Sequence, residues 1–429
     1  MSFKLLSKAY GLYQLSLFRI ELNIEFDYDQ YGWDNNNDYQ KATFVHEYIH
    51  YLQDISTLYG VLNFNHVMGT IQGCIDAIAN SQENKVTLPI DLNYIENYEQ
   101  SKHLIEIYQG EFHDLYECRV VYAYIQEEEI YEEIYGDKIY EVILELNVDG
   151  KIEKYRFGGR CVLESMAYLI ESHAYPSESR RNNAPYNLCE QVASYVYEEF
   201  PNNKAMIVAL CDISLNSKEP GIMFYSILRA MKEFKFLPKT IDDIYIFVDK
   251  YIHGNTKEIY IDELKTAINR IDFIYPKTID AMPEIEIANK WLKGKILQTA
   301  DYRFKNRKFI TKIMDYKGKD FEKYFFSLLN QFGIPLIKDV NGEIFNGATV
   351  NEPNLNLTFV NVPITLSKLF DSEEKNNKCE LIKICARNDN LVDNLCVSSP
   401  WEKSKNESLC PIGVIWYHRC LKGKSIVRK

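Results

Sequence analysis

The amino-acid sequence predicts an α+β fold, and three local patterns carry this prediction. Residues 12–28 alternate between apolar and polar positions over much of their length, as a half-buried strand does. From about Tyr39 to Tyr59, and again from about Leu62 to Ala79, the apolar residues recur at helical spacing. Residues 139–157 return to a strand pattern. We therefore expect a small sheet packed beside helices.

The helix from about Tyr39 has a start signal, and the later strand pattern has a turn. Asn37 or Asp38 can cap the helix because both side chains accept hydrogen bonds from free backbone N–H groups. In residues 139–157 two strand-like runs flank the turn Val148-Asp149-Gly150, which predicts a β-hairpin. The segment that follows, RCVLESMAYLIESHAY, predicts a short and strongly apolar helix.

Three regions are predicted along the chain. Residues 1–200 would form a core that contains the early strand, the two helices and the hairpin near 139–157. Residues 201–330 show mostly amphipathic helical patterns. Residues 331–429 combine short strands, Asn-rich turns and five of the ten cysteines, and predict a mixed α/β C-terminal region.

The charge of the chain argues against nucleic acid as a partner. Its 49 basic and 61 acidic residues give a formal net charge of -12, whereas a domain that binds duplexes usually has a basic face. The local basic group formed by Arg303, Lys305, Arg307 and Lys308 is expected to be a solvated helix face.

The sequence predicts a cytoplasmic protein that does not enter a membrane. No segment approaches the roughly 18 uninterrupted apolar residues of a membrane span. The N-terminal apolar run is interrupted by polar residues, which a signal peptide would not tolerate. The ten cysteines occur singly, without a CxxC pair, and this favours reduced thiols over a disulfide framework. The oligomeric state is left open.

One segment of the first predicted helix carries the chemistry. His46 and His50 are four positions apart, so their imidazoles project from one helix face and can reach one ion. Glu47 lies three residues before His50, close enough to hydrogen-bond a water on that ion without being a ligand. The pattern predicts a zinc site with Glu47 as general base, and the alternative is a surface helix with two incidental histidines.

The motif HEYIH at residues 46–50 resembles that of the zincin metallopeptidases. Two branches of that group do not fit. Metzincins have a third His six positions after the second, where this chain has Ser56, and a Gly at the position of Gln53. The inverted motif HxxEH does not occur in the sequence. The resemblance therefore points to gluzincin-like enzymes and implies a zincin-like catalytic core, a small sheet plus active-site helices, in the first 200 residues.

The gluzincin resemblance implies a Glu on a later helix as the third metal ligand, and Glu164 is the best match. It lies in the segment LESMA, which resembles the ExxA element of those families. Two neutral imidazoles and one carboxylate would leave Zn²⁺ with an open position for water. The chain between His50 and Glu164 is longer than in compact members of the group, so Glu171 and His173 remain alternative ligands.

Other polar side chains near the two helices are candidates for supporting roles. Asp54 continues the face of the two histidines and is expected either to orient an imidazole or to face solvent. The groups that could support the metal or stabilise an oxyanion are Tyr168, Glu171, His173, Tyr175 and His253.

The C-terminal region offers a possible second metal site. A structural zinc there would use His418 and the cysteines Cys379, Cys385, Cys396, Cys410 and Cys420. Their spacing matches no familiar zinc ribbon or finger. Buried free thiols are therefore the preferred interpretation.

The resemblance implies a zinc-dependent peptidase that acts on a protein or peptide. Two alternatives from other classes stay open. The chain could be a zinc-stabilised binding or regulatory module with little hydrolytic activity, or a metal-dependent hydrolase of something other than a peptide.

Overall fold

A computed structural model gives the structure of residues 11–27, 33–92, 98–111, 113–128, 138–177, 183–201, 203–251, 257–274, 283–346, 360–387, 392–405 and 410–428. Within them the chain combines many helices with three small sheets. The predicted α+β class is confirmed at this level.

The first sheet has the strand order β1-β2-β7-β8, and its strands are Gly11–Gln14 (β1), Arg19–Leu22 (β2), Leu336–Lys338 (β7) and Ile344–Asn346 (β8). Strands β1 and β2 are antiparallel, β2 and β7 are parallel, and β7 and β8 are antiparallel. Two strands of the C-terminal region therefore complete a sheet that begins at the N-terminal end.

The single strand predicted for residues 12–28 is wrong, because a turn at residues 15–18 divides it into β1 and β2. Ser16 and Phe18 have φ values of 65° and 51°, in the left-handed region, and both are buried. The turn contains no Gly, Pro, Asn or Asp, so the usual turn signals are missing. The apolar alternation continues through it because its side chains are also packed in the core.

The second sheet is an antiparallel meander of Arg119–Glu128 (β4), Ile139–Val148 (β5) and Lys151–Phe157 (β6). The predicted hairpin at 139–157 is confirmed. Its turn uses Asp149 and Gly150 at positive φ, and Asn147 Oδ1 accepts from the Gly150 backbone N–H. A third sheet pairs Lys85–Thr87 (β3) with Ser425–Val427 (β9) in parallel.

The two helices predicted near the N-terminal end are present as Asp38–Ser56 (α1) and Leu58–Asn80 (α2). Asn37 caps α1 in a capping box with Gln40, since each side chain accepts a hydrogen bond from the backbone of the other. Thr57 separates the helices, and its hydroxyl accepts from Gly60 N–H to cap α2. The boundary therefore lies a few residues before the predicted one.

The remaining helices cover most of the chain that follows. They are Tyr98–Gln109 (α3), Gly159–Ala174 (α4), Leu188–Val196 (α5), Lys204–Ser214 (α6), Pro220–Glu233 (α7), Ile241–Tyr251 (α8), Lys257–Ile274 (α9), Pro283–Lys305 (α10), Gly318–Phe332 (α11), Val362–Phe370 (α12), Ile382–Arg387 (α13), Leu395–Ser398 (α14) and Pro411–His418 (α15). Helix α4 is the apolar helix predicted directly after the hairpin.

Helix α1 is central to the fold. It contacts α2, α4, α10 and strands β1 and β2, and its side chains are buried without interruption from Lys41 to Ser56. A helix buried on all sides offers no solvated face for incidental histidines. The alternative of a surface helix with two incidental histidines is therefore wrong.

Arg303 on α10 is also buried, which corrects the expectation of a solvated basic face at this position. Its guanidinium pairs with both carboxylate oxygens of Asp212 at 3.0 Å and donates to Ser56 Oγ at 2.9 Å. Tyr245 donates to the same carboxylate at 2.7 Å. A buried charge of this kind needs close partners, so Arg303 connects the end of α1 with α6 and α10.

No helix in the described part of the chain has both the length and the apolar character needed to span a membrane. All ten cysteines lie in described residues and are free, and nine of them are buried. The expectation of unpaired core thiols is confirmed for these nine, whereas Cys420 is exposed.

Candidate metal centre

Helices α1 and α4 pack against each other and bring His46, His50 and Glu164 together. The two imidazole Nε2 atoms are 3.2 Å apart. Glu164 Oε2 lies 3.2 Å from His46 Nε2 and 3.5 Å from His50 Nε2. Among the described residues this is the one group of three potential metal ligands whose ligating atoms all lie within 4.8 Å of one another.

The group is enclosed in the protein. His46, His50 and Glu164 are 2%, 1% and 2% exposed. Burial alone would raise the pKa of Glu164, but positive charge on His50 and hydrogen bonds from both imidazoles act against it and hold that pKa well below its ordinary value. The buried carboxylate is therefore ionised when a positive partner lies beside it.

The partners of the outer ring nitrogens define which atoms face the centre. Glu171 Oε2 lies 2.9 Å from His46 Nδ1, and because a carboxylate can only accept, this proximity favours a proton on that nitrogen. His50 Nδ1 lies 2.8 Å from Gln53 Oε1, which is also an acceptor. Both Nε2 atoms are then unprotonated in the neutral rings and point their lone pairs at Glu164.

Three acceptor atoms thus converge without a donor among them. Such a cluster is repulsive unless a cation lies between the atoms, either a metal ion or an additional proton on one ring. Two neutral imidazoles and a carboxylate are the ligand types of catalytic zinc sites. The chemistry of His46, His50 and Glu164 therefore fits a divalent transition metal.

Glu47 lies next to His46 in α1 but is not part of the three-residue group. Its side chain is buried, and strand β1 lies directly against it. A Cβ atom added to Gly11 would be only 2.8 Å from both Cγ and Oε1 of Glu47. The start of β1 therefore defines the space in which this carboxylate lies.

Asp54 does not face solvent, and its hydrogen bonds go to strand β1 and its turn. Its Oδ2 accepts from Tyr13 O–H at 2.8 Å and from Ser16 N–H at 2.6 Å. Burial raises the pKa of Asp54 from 3.8 to about 7, despite the opposing effect of these two hydrogen bonds. The Tyr13 ring stacks on His50 with 6.5 Å between centroids, so Asp54 reaches the imidazole only through Tyr13.

The candidates at the end of α4 lie in different surroundings. His173 Nε2 is 2.8 Å from the backbone carbonyl of Tyr316, and His173 is not in the three-residue group. Tyr175 packs edge-on against Phe321, and burial raises its pKa. Both side chains therefore contact residues 316–321 of the following region.

Tyr168 lies nearer to the centre through another tyrosine. It is half-buried and makes an edge contact with Tyr186, whose ring is 6.0 Å from that of His46. His253, the remaining candidate, lies outside the described residues. Sequence reasoning missed Tyr186, because no motif or spacing connects the loop after α4 with α1.

Sequence reasoning also missed the roles of Gln53 and Tyr13. Gln53 contacts His50 and, through its Nε2, the backbone carbonyl of Leu163. Its position three residues after His50 on one helix was an available signal for the first contact. Nothing in the sequence signals the second contact, or the stacking of Tyr13 on His50.

The C-terminal cysteines do not form a comparable centre in the described residues. Cys379, Cys385, Cys396 and Cys410 are buried, while Cys420 and His418 are exposed. Burial raises the pKa of Cys379 to about 12 and that of Cys385 to about 11. The thiols of Cys379 and Cys385 are thus protonated at neutral pH, as expected for core residues.

Comparison with models of protein families, with curated protein sequences and with solved structures finds no match to this chain. The interpretation of the centre therefore rests on its own residues.

Proposed function

We propose that the chain is a zinc-dependent peptidase with a gluzincin-like ligand set on a zincin-like core. The observation that supports it is the convergence of His46 Nε2, His50 Nε2 and Glu164 Oε2, which lie within 3.5 Å of one another. His46 and Glu164 are 118 positions apart, so their meeting is not a consequence of local helix geometry.

The residues around the centre have distinct tasks in this proposal. His46, His50 and Glu164 would hold the ion, which when bound supplies Lewis acidity toward a carbonyl group and a water. Glu47 accepts a proton from the attacking water and later donates it to the leaving amine. The apolar neighbours of α1 exclude bulk water, which strengthens each of these electrostatic interactions.

Glu171 supports the ligand set from behind. Its carboxylate lies 2.9 Å from His46 Nδ1, where it favours a proton on that nitrogen and makes the opposite nitrogen a better electron donor. In the proposal Glu171 is therefore a supporting group and Glu164 the third ligand.

A second function is favoured by the burial of the centre. Glu47 is only 5% exposed, and the three ligands are even less so. A zinc-stabilised binding or regulatory module would need no access for a substrate, so an enclosed site suits it. In that case the ion would stabilise the packing of α1 on α4.

Replacement of Glu47 by Gln separates these functions. A peptidase should lose turnover of a peptide library by a factor of about 10² or more, with zinc content and thermal unfolding unchanged. Glu83→Gln, at an exposed position, is the control. If neither protein cleaves peptides, and Glu47→Gln restores the phenotype of cells that lack the chain as well as the wild type does, the regulatory function is supported instead.

The same assay tests the nature of the substrate. Turnover of small amides or esters without cleavage of any peptide would contradict the peptidase proposal and support a metal-dependent hydrolase of another substrate class.

A further inference from the structure

Gln53 contacts both helices that carry the metal-binding group. Its Oε1 lies 2.8 Å from His50 Nδ1 on α1, and its Nε2 donates to the backbone carbonyl of Leu163 on α4 at 3.1 Å. Leu163 directly precedes Glu164. The Gln53 side chain has no exposed surface, so it joins the two helices beside the centre and away from solvent.

The contact with Leu163 determines how the amide is oriented. A backbone carbonyl only accepts, so the NH₂ group of Gln53 must face Leu163 and the oxygen must face His50. Since that oxygen also only accepts, His50 Nδ1 must carry a proton. In the neutral ring the lone pair of Nε2 is then directed at Glu164 and His46, as a ligand nitrogen requires.

The neutral amide also limits the charge around the centre. Glu47, Glu164 and Glu171 already place three buried carboxylates there. A fourth at position 53 would add uncompensated charge and would face the Leu163 carbonyl oxygen at close range. Gln53 provides the acceptor that His50 needs, and it adds neither a negative charge nor a repulsive contact with the Leu163 carbonyl oxygen.

We infer that Gln53 is a positioning residue of the metal centre. The Leu163 carbonyl fixes the orientation of the Gln53 amide, and the amide oxygen fixes the tautomer of His50. It holds Nδ1–H outward and Nε2 toward the ion. The inference rests on the proposed metal site and is independent of hydrolysis.

Replacement of Gln53 by Leu removes both contacts at similar volume. We expect zinc affinity to fall 10- to 100-fold in competition with a chelator. Gln72→Leu is the matched control, because the Gln72 amide contacts Asp76 on its own helix. Gln53→Glu keeps an acceptor for His50 and loses the donor to Leu163, so it should retain most of the affinity even where its stability falls.

Nitrogen-15 NMR of zinc-free wild type labelled at histidine tests the tautomer without any variant. We expect His50 in the Nδ1–H form at pH 8, and a mixture of forms in Gln53→Leu. An Nε2–H form in the wild type, or unchanged affinity in Gln53→Leu, would overturn the inference. A wild type that binds no zinc would instead contradict the proposed function, while the tautomer could still be read from the metal-free protein.

Discussion

Replacement of Asp54 by Asn should change the pH dependence of stability. Asp54 is fully buried, and its pKa is raised from 3.8 to about 7. The folded state therefore holds a proton that the unfolded state releases, so this contribution to stability is present below pH 3.8 and is lost as the pH rises through 7. A pKa difference of about three corresponds to about 4 kcal/mol.

Asn at this position cannot ionise, yet its oxygen still accepts from Tyr13 and Ser16. Urea unfolding of both proteins at several pH values, with chelator present, measures the difference. Between pH 5 and pH 8 the wild type should lose about 3 kcal/mol relative to Asp54→Asn. Other titrating groups are common to both proteins and cancel in this comparison.

Asp76→Asn is the control, because Asp76 is partly exposed and pairs with Arg419. Its stability should follow the wild type across the pH range. Parallel curves for the wild type and Asp54→Asn would refute the assignment of a raised pKa to this carboxyl group.

Three further substitutions test Glu171, Arg303 and Gly11. Glu171→Gln replaces a charged acceptor by a neutral amide and should lower zinc affinity 10- to 100-fold in chelator competition, with the fold unchanged. Arg303→Met leaves the Asp212 carboxylate buried without its cation and should cost about 3–5 kcal/mol in urea unfolding. Gly11→Ala places a methyl group against Glu47 and should reduce peptide turnover while the zinc content stays the same.

A different result for each substitution would contradict the role given to that residue. Unchanged zinc affinity in Glu171→Gln would remove the supporting role of that carboxylate. If Arg303→Met unfolds like the wild type, Asp212 is not held as an ion in the core. Equal turnover in Gly11→Ala would show that β1 does not limit the position of Glu47, with Gly69→Ala, where an added Cβ meets open space, as control.

Local patterns in the sequence predicted the parts of the fold that depend on spacing within one segment. The hairpin at 139–157 and helices α1, α2 and α4 follow from the period of their apolar residues and from their turn and cap residues. The alignment of His46 with His50 is equally local, because it follows from one turn of helix.

Contacts between distant segments could not be predicted in the same way. The pairing of β2 with β7 depends on packing across most of the chain, and Arg303 looked like a surface residue because its partner Asp212 lies on another helix. The turn at residues 15–18 was hidden because its strained backbone carries ordinary core side chains. Tertiary packing decided each of these features.

Zinc content, compared by elemental analysis between wild type and Glu164→Ala, tests the proposed ligand set. We expect about one zinc per chain in the purified wild type and its loss or clear weakening in the variant. Glu322→Ala, which replaces a half-buried Glu outside the centre, should keep the full content. A wild type without bound metal, or a Glu164→Ala protein that retains all of its zinc, would contradict the ligand set of His46, His50 and Glu164.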